Sequence, residues 1–365
     1  MSHEIEKHDQ VVLTGQKAWH GLGIVVEDAP TAAAALKIAG LDWEVEQWPL
    51  VATQPVQVQI GDQQPLSMQV SSHLLNVRMP RSAEDKMQPI PMGIVGKNYQ
   101  CFQNAEMAAF VDALVEGEDR IQIESAGSIR NGQKVWFLIR GESFSVRATA
   151  KRRGTQAVED KVATYILCSN GFDGCTGFRC TPTMIRVVCS NTLHAVIPSY
   201  DPEGRLRRFT PASFVCRHCG TLAERVEEAK KALGLYVSAI DESTDLIDQA
   251  AAKDVSSEMV QQFFLESYTK HFGSIPGNPE TAAEQRLRDK AITAQGVFQA
   301  RWDQEEQSIG ASAWAMLNAY TGYLQHDITS RLKDEQRARD VQVHSQLFAT
   351  NASRSLDAWR LALTL

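Results

Sequence analysis

Residues 163–197 read ATYILCSNGFDGCTGFRCTPTMIRVVCSNTLHAVI, and this stretch decides the fold of the chain. It opens with a β-rich run, Ala163 to Ser169, and continues with a second β-branched run, Thr183 to Cys189. The dipeptides Asn170-Gly171 and Asp173-Gly174 lie between the two runs and favour the positive φ angles of a tight turn. The pattern therefore predicts a β-hairpin at the centre of the protein.

The end of the same stretch has the signals of a helix. Ser190 is a good N-cap residue, and the apolar residues Leu193, Val196 and Ile197 follow it before Pro198 ends the segment. We therefore predict that a short capped helix follows the hairpin. This compact unit contains four of the seven cysteines of the chain but no P-loop and no paired-carboxylate signature.

The composition is that of a globular protein, with 43% hydrophobic and 22% charged residues in a chain of 365. Such a length buries a large core and suggests two or three domains. No apolar run approaches the roughly 20 residues of a membrane-spanning helix. The first residues, MSHEIEKHDQ, are polar and lack the apolar segment of a secretory signal. We therefore expect a cytoplasmic protein whose cysteines are thiols rather than disulfides.

Positive charge is concentrated in the middle of an acidic protein. The chain has a formal net charge of −7, yet residues 140–217 contain 12 basic and 6 acidic residues, a net charge of +6. The segments before and after this basic island have net charges of −7 and −6. The overall charge argues against indiscriminate nucleic-acid binding, whereas a local basic face is compatible with a specific nucleic-acid site.

The hydrophobic patterns divide the chain near Gly220. Before this point, β-hairpin signals such as Arg130-Asn131-Gly132 alternate with short helical patterns. Beyond it, apolar residues recur at helical spacing, which predicts long helices over about residues 236–272, 281–307 and 311–338. The sequence therefore predicts an α+β protein, with a mainly antiparallel sheet domain over residues 1–219 and a helical domain over residues 220–365.

Several motifs of the chain resemble those of a phage/plasmid-like protein family, domain of unknown function 932. The matching motifs are Trp19-His20-Gly21-Leu22-Gly23, Gly93 to Tyr99, Gln103-Asn104, Arg186 to Leu193, the helix Thr221 to Leu235, and Ala313 to Thr321. The resemblance runs from about Trp19 to the C-terminus, although Arg217-His218-Cys219 departs from the family's usual Arg-His-Thr. It implies a setting on mobile genetic elements and no established activity.

Three features suggest chemistry, and each has a more ordinary interpretation. Cys216 to Cys219 form a CxxC with His218, but no second pair at zinc-site spacing accompanies it, so we expect buried thiols and no metal. Cys189 and His194 do not have an established catalytic spacing, and His20 fits a packed turn. The glycines 171, 174 and 177 form no nucleotide-binding motif. We therefore predict neither an enzyme nor a cofactor.

The basic island supplies the candidate binding residues. The island has two basic loops, Lys151 to Arg153 and Arg205 to Arg208. If both emerge at one edge of the sheet, they form a cationic rim that can contact successive phosphates, with Phe172, Phe178 and Tyr200 as stacking faces. The alternative is that these are solvated loop charges. The predicted nucleic-acid-binding residues are Lys151, Arg152, Arg153, Arg179, Arg186, Arg205, Arg207 and Arg208.

Two functional hypotheses follow from these patterns. The first is a non-enzymatic protein of a phage or plasmid that binds nucleic acid, with single-stranded DNA favoured, and that anneals or protects DNA as a homo-oligomer. The second is an interaction protein that binds a host or defence factor through its acidic helical half. A salt-dependent shift of labelled single strands is required by the first hypothesis and not by the second.

Overall fold

The computed structural model describes most of the chain at the level of backbone and side chains. The described residues are 12–14, 24–26, 31–53, 67–82, 88–116, 121–146, 160–186, 191–203, 206–215, 222–328, 341, 345 and 350–365. Within them, strands predominate in the first part of the sequence and helices in the last part. The predicted α+β class is confirmed.

The strands of the described residues lie between Val12 and Val215. They are β1 (Val12–Thr14), β2 (Ile24–Val26), β3 (Val45–Thr53), β4 (Ser67–Arg78), β5 (Ile90–Gly96), β6 (Gln122–Ile129), β7 (Lys134–Ser145), β8 (Lys161–Gly171), β9 (Arg179–Arg186), β10 (Asn191–His194), β11 (Val196–Tyr200), β12 (Leu206–Pro211) and β13 (Phe214–Val215).

Three sheets are formed by these strands. The largest has the order β10-β9-β8-β7-β6-β1-β2, with β13 added beside β9, and the others are β3-β4-β5 and β11-β12. The strand pairs β3-β4, β4-β5, β9-β10 and β11-β12 are antiparallel, while β1 and β2 pair in parallel. The expectation of a mainly antiparallel sheet therefore holds for the described strands.

The helices follow the capping rules. They are α1 (Ala32–Ile38), α2 (Asn104–Val115), α3 (Leu222–Ala252), α4 (Ser257–Phe272), α5 (Ala282–Ile309), α6 (Ala313–Gly322), a π-helix (Tyr323–Asp327) and α7 (Thr350–Thr364). Side chains of Thr31, Ser256, Thr281 and Ser312 accept hydrogen bonds from the first turns of α1, α4, α5 and α6. Each bond satisfies a backbone N–H that the helix itself leaves without a partner.

The chain divides into two compact units. The first comprises Met1–Ile139, Leu167–Cys180 and Phe214–Leu233, and the second comprises Arg140–Ile166, Thr181–Ser213 and Gly234–Leu365. Each unit collects segments that are distant in sequence. The boundary that the sequence places at residue 220 stays a prediction.

The first unit contains the motif residues Gln103 and Asn104, and both are structural. The Gln103 amide accepts from the backbone N–H of Val45 at 3.0 Å and donates to its carbonyl at 2.9 Å. The Asn104 amide is buried and donates to the Leu41 carbonyl at 2.8 Å. These bonds join the start of α2 to the chain that enters β3. The two side chains therefore connect helix α2 to the segment that leads into β3.

The second unit is built around a hydrophobic core in which α6 is buried on every side. Aromatic rings from α4, α5 and α6 meet there, with Phe264 stacked on Phe298 at 5.1 Å and Phe263 edge-on to Tyr320 at 5.6 Å. The indole N–H of Trp314 donates to the buried carboxylate of Asp160 at 2.9 Å. Since polar groups are costly to bury without partners, this bond removes a penalty from the centre of the core.

The structure contradicts the predicted helix after Ser190. Residues Asn191–His194 form strand β10, which pairs antiparallel with Thr183 to Arg186 of β9. The sheet ladder satisfies the backbone groups that a helix would have satisfied internally, so long-range pairing overrides the local cap signal. The single helix predicted over about residues 236–272 is also wrong, because α3 begins at Leu222 and ends at Ala252, and α4 begins only at Ser257.

Candidate anion-binding site

Two turns of the first unit contact each other and the strand β5. The turn between β6 and β7 presents the Gln133 carbonyl, which accepts from the backbone N–H of Phe172 in the turn between β8 and β9 at 2.8 Å. The Gln133 side-chain amide donates to the Met92 carbonyl in β5 at 2.9 Å. Backbone and side chain of one residue thus connect three segments that are far apart in sequence.

The first of these turns has the conformation that its sequence predicts. Arg130, Asn131 and Gly132 have φ angles of 54°, 59° and 86°. Glycine is needed at the third position, because a Cβ there would lie 2.7 Å from the Trp43 ring. The Arg130-Asn131-Gly132 hairpin is therefore confirmed, and its tip packs directly on an aromatic side chain.

The second turn is organised by one carboxylate. Asp173 accepts through Oδ1 from the backbone N–H groups of Cys175 at 2.9 Å and Thr176 at 3.2 Å. Gly174 has a φ of 78°, and a Cβ added there would lie 2.6 Å from the Ile94 carbonyl of β5. The predicted Asp173-Gly174 turn is confirmed, whereas Asn170-Gly171 belongs to the end of strand β8.

A buried arginine, Arg78, contacts the turn between β6 and β7. Arg78 is 1% exposed, and its guanidinium lies 4.6 Å from the centre of the Trp43 ring. Its Nη1 donates to the Asn131 carbonyl at 3.2 Å. A cation over an aromatic face is stabilised by the negative face of the ring, and this effect grows when water is excluded. The turn is thereby fixed to Arg78 at the end of β4 and to Trp43 just before β3.

Three further cations lie around the two turns. Arg130 and Lys134 are half-buried and Arg179, at the start of β9, is exposed. Burial lowers the pKa of the Lys134 ammonium group, Arg130 and Arg179 lower it further, and Asp173 and Cys175 raise it. Each of these four groups therefore interacts electrostatically with Lys134. We call Arg130, Lys134, Asp173, Cys175 and Arg179 the turn cluster.

The turn cluster as defined contains three cations and one carboxylate, so its own formal charge is positive. That carboxylate already accepts hydrogen bonds from its own turn. Arginine provides a planar set of donors that matches phosphate oxygens, and lysine adds a point charge. The arrangement is chemically suited to a phosphate or another anion.

The family of the chain is given by a model that covers residues 91–346, which is more than half of its length. That model is described as domain of unknown function, DUF932. The chain belongs to this family. No curated protein and no solved structure matches it. Among the described residues of this DUF932 protein, none of the helices combines the length and the hydropathy required to cross a membrane.

The eight predicted binding residues of the DUF932 protein have different outcomes. Arg179 belongs to the turn cluster, and Arg207 is exposed in β12, where its carbonyl accepts from Arg360 Nη1 at 3.4 Å. For Arg186 and Arg208 the backbone alone is described. Outside the described residues lie Lys151, Arg152, Arg153 and Arg205. The predicted meeting of the two basic loops stays a prediction.

Two of the predicted stacking faces are corrected by the structure. Phe172 and Phe178 are buried, and they pack on Trp43 at 5.5 Å and on Phe102 at 4.9 Å. Burying an aromatic ring removes a large apolar area from water, so rings that flank a turn are drawn into the core. Tyr200 lies in β11, with only its backbone described.

The local sequence does not single out Arg130 or Lys134 as candidate binding residues. The pattern Arg130-Asn131-Gly132 predicts a hairpin, and Lys134 carries no motif of its own. A usable signal was present, since a turn with two flanking cations presents both at one end of a hairpin. Their proximity to Arg179 depends on contacts between strands and has no counterpart in the local sequence.

The remaining candidates are structural or lie outside the described part. His194 is buried in β10, and the proposed partner Cys189 lies outside the described residues, as do His20 and Cys216 to Cys219. Where the structure describes side chains, it contains no group of three or more histidine, cysteine or acidic residues arranged to hold a metal ion.

Proposed function

We propose that this DUF932 protein binds nucleic acid without transforming it, with single-stranded DNA as the favoured ligand. The turn cluster supplies the contact to phosphates. The observation that supports this proposal is the gathering of Arg130, Lys134 and Arg179 around two turns that are fixed to each other through Gln133. Cations on rigid turns lose little conformational freedom on binding, which favours a charged ligand.

The basic island is a second source of positive charge for the proposed contact with nucleic acid. Residues 140–217 have a net charge of +6 in a chain whose net charge is −7. A single strand follows a cationic surface through its phosphates while its bases remain accessible for annealing. We further propose that the protein acts in the cytoplasm as a homo-oligomer, since several copies along one strand protect more of it than a single copy.

The test is fluorescence anisotropy with a labelled single strand and with the matching duplex, each at two salt concentrations. The triple variant Arg130→Gln, Lys134→Met, Arg179→Ala removes the three cations and keeps the half-buried side chains similar in length. We expect it to weaken binding by at least about tenfold. The slope of log K against log salt should flatten by about 2, because each lost phosphate contact removes about 0.7 for single strands.

A matched control removes the same kind of charge elsewhere. Arg286 is exposed on α5, so Arg286→Ala should leave both the affinity and the salt slope unchanged. A second variant, Arg152→Ala, Arg153→Ala, Arg207→Ala, Arg208→Ala, tests whether the basic island contributes as well.

Two results count against the proposal in different ways. If the wild-type protein binds neither single-stranded nor duplex DNA at low salt, nucleic-acid binding is wrong and the acidic helical half becomes the surface to test for a protein partner. If binding persists in the triple variant but not in the island variant, the function holds and the turn cluster is the wrong site.

A further inference from the structure

Two buried cysteines of the first unit lie side by side on neighbouring strands. Cys168 in β8 is 0% exposed and Cys180 in β9 is 2% exposed, and their sulfur atoms are 3.2 Å apart. The sulfur atoms of a disulfide are about 2.05 Å apart. The two thiols are therefore within about 1.1 Å of bonding distance without being joined.

The surrounding structure holds these thiols together. Cys180 is paired across the ladder with Phe214 of β13, while β8 lies on the other side of β9. Near Cys168, the buried Asn170 amide donates to the Phe102 carbonyl at 2.8 Å. Because the backbone on both sides is hydrogen-bonded, the two strands hold the cysteines close together, and each thiol has a high effective concentration at the other.

We infer that Cys168 and Cys180 are an oxidisable dithiol that closes into a disulfide under a peroxide oxidant. One thiol attacks hydrogen peroxide, the O–O bond breaks, and a sulfenic acid and one water are formed. The second thiol then attacks the sulfenic sulfur, an S–S bond forms, and a second water leaves. Two thiols and one peroxide thus give one disulfide and two waters, with two electrons transferred from sulfur to oxygen.

Burial determines the speed of this reaction. Both sulfurs are shielded, so peroxide reaches them when the hairpin opens locally. Cys175 lies on the turn between the two strands and is exposed, so it is a competing thiol. The closed bond links the two strands that flank this turn. Exchange of the backbone amides between Cys168 and Cys180 should therefore slow after oxidation.

The experiment exploits a cleavage site between the two cysteines. Trypsin cuts after Lys161, Arg179 and Arg186, so Cys168 and Cys180 fall on separate peptides, residues 162–179 and 180–186. The full chain with Cys175→Ser is treated with hydrogen peroxide, alkylated and digested. We expect a linked peptide that weighs two hydrogens less than the sum of its parts and that separates after reduction with dithiothreitol.

The matched variant is Cys168→Ser, which should lose the linked peptide. The wild-type protein can be measured without any substitution. A second digestion with chymotrypsin, which cleaves after Phe172, places Cys168 and Cys175 on separate peptides. The inference is overturned if native protein gives no link while urea-unfolded protein, treated in the same way, does. It is equally overturned if the only link to Cys180 comes from Cys175.

Discussion

Charged side chains have different surroundings in the turn cluster of the first unit and in the aromatic core of the second. In the turn cluster of the first unit, Arg179 is exposed and Arg130 and Lys134 are half-buried around tight turns. In the second unit, comparable groups are packed within or against the aromatic core. Arg301 forms a two-pronged ion pair with Asp327, and Arg354 lies 4.3 Å from the centre of the Phe272 ring. The turn cluster is the candidate contact for a ligand, whereas Arg301 and Arg354 contact a carboxylate and an aromatic ring of their own unit.

Titratable side chains of the second unit, among them His271 and Tyr320, are also packed in its core. His271 contacts the hydroxyl of Tyr320 through Nδ1 at 2.9 Å, and its Nε2 lies 3.5 Å from the Asp357 carboxylate. Burial raises the pKa of Tyr320, so this hydroxyl remains protonated under ordinary conditions. Substitutions in this region are therefore expected to change stability, and substitutions in the turn cluster to change binding.

The largest expected effect tests the aromatic core. Phe264 is 1% exposed and stacks on Phe298, so Phe264→Ala should lower the free energy of unfolding by about 3–5 kcal/mol through lost burial and an unfilled cavity. Urea unfolding measures the loss, and hydrogen exchange of α4 and α5 peptides localises it. The neighbouring Leu265 is 46% exposed, so Leu265→Ala should change stability by no more than about 0.5 kcal/mol. Equal losses for both variants would contradict this assignment of the core.

An intermediate effect is expected where β5 meets the turn of the first unit. A Cβ at Gly93 would lie 2.5 Å from the backbone of Asp173, so Gly93→Ala should cost about 1–3 kcal/mol. Gly96 belongs to the same motif but has open space around it, and Gly96→Ala is the matched control. Thermal unfolding of both variants checks the difference. A destabilisation by Gly96→Ala as large as that by Gly93→Ala would mean that the close approach to Asp173 is not the cause.

The smallest effect is a pH dependence in the second unit. Burial lowers the pKa of His271, Asp357 raises it, and Arg354 and Lys270 lower it. Below about pH 6.5, His271 takes up a proton more readily in the unfolded chain than in the folded one. The contribution of His271 to the free energy of unfolding is therefore full above that pH and decreases as the pH falls. The slope from one group is less than about 1.4 kcal/mol per pH unit.

The variant His271→Asn separates this contribution from that of the other histidines. Its free energy of unfolding should decrease less between pH 7 and pH 5 than that of the wild type, as measured by urea unfolding at each pH. Replacing the exposed His73 by Asn serves as the control and should leave the wild-type slope intact. If His271→Asn has the same slope as the wild type, the proton taken up on unfolding belongs to another group.

Local signals explain much of the fold. Arg130-Asn131-Gly132 and Asp173-Gly174 predicted turns whose φ angles the structure confirms, because the dipeptides themselves favour positive φ. Thr31 caps α1, and Gly40, just beyond its end, has a positive φ, both of which are local features of the sequence. These features depend on a few adjacent residues, so a single sequence contains the information that they need.

Pairing between distant segments decided what those signals could not. Residues 191–194 have a helix cap in front of them, yet they form β10 because β9 offers a complete hydrogen-bond ladder. In the same way, Gly93 and Asp173 come into contact only when β5 packs against the turn after β8. Neither outcome is visible in a window of neighbouring residues.

The sequence alone determined the α+β class, the turns at Arg130-Asn131-Gly132 and Asp173-Gly174, the basic island and the resemblance to the family. Only the tertiary structure gathered Arg130, Lys134 and Arg179 into one cluster and placed Phe172 and Phe178 in the core. The physical reason is the range of the interactions. Turn propensity acts over two or three residues, whereas electrostatic proximity and apolar burial depend on strands that are adjacent in the sheet and distant along the chain.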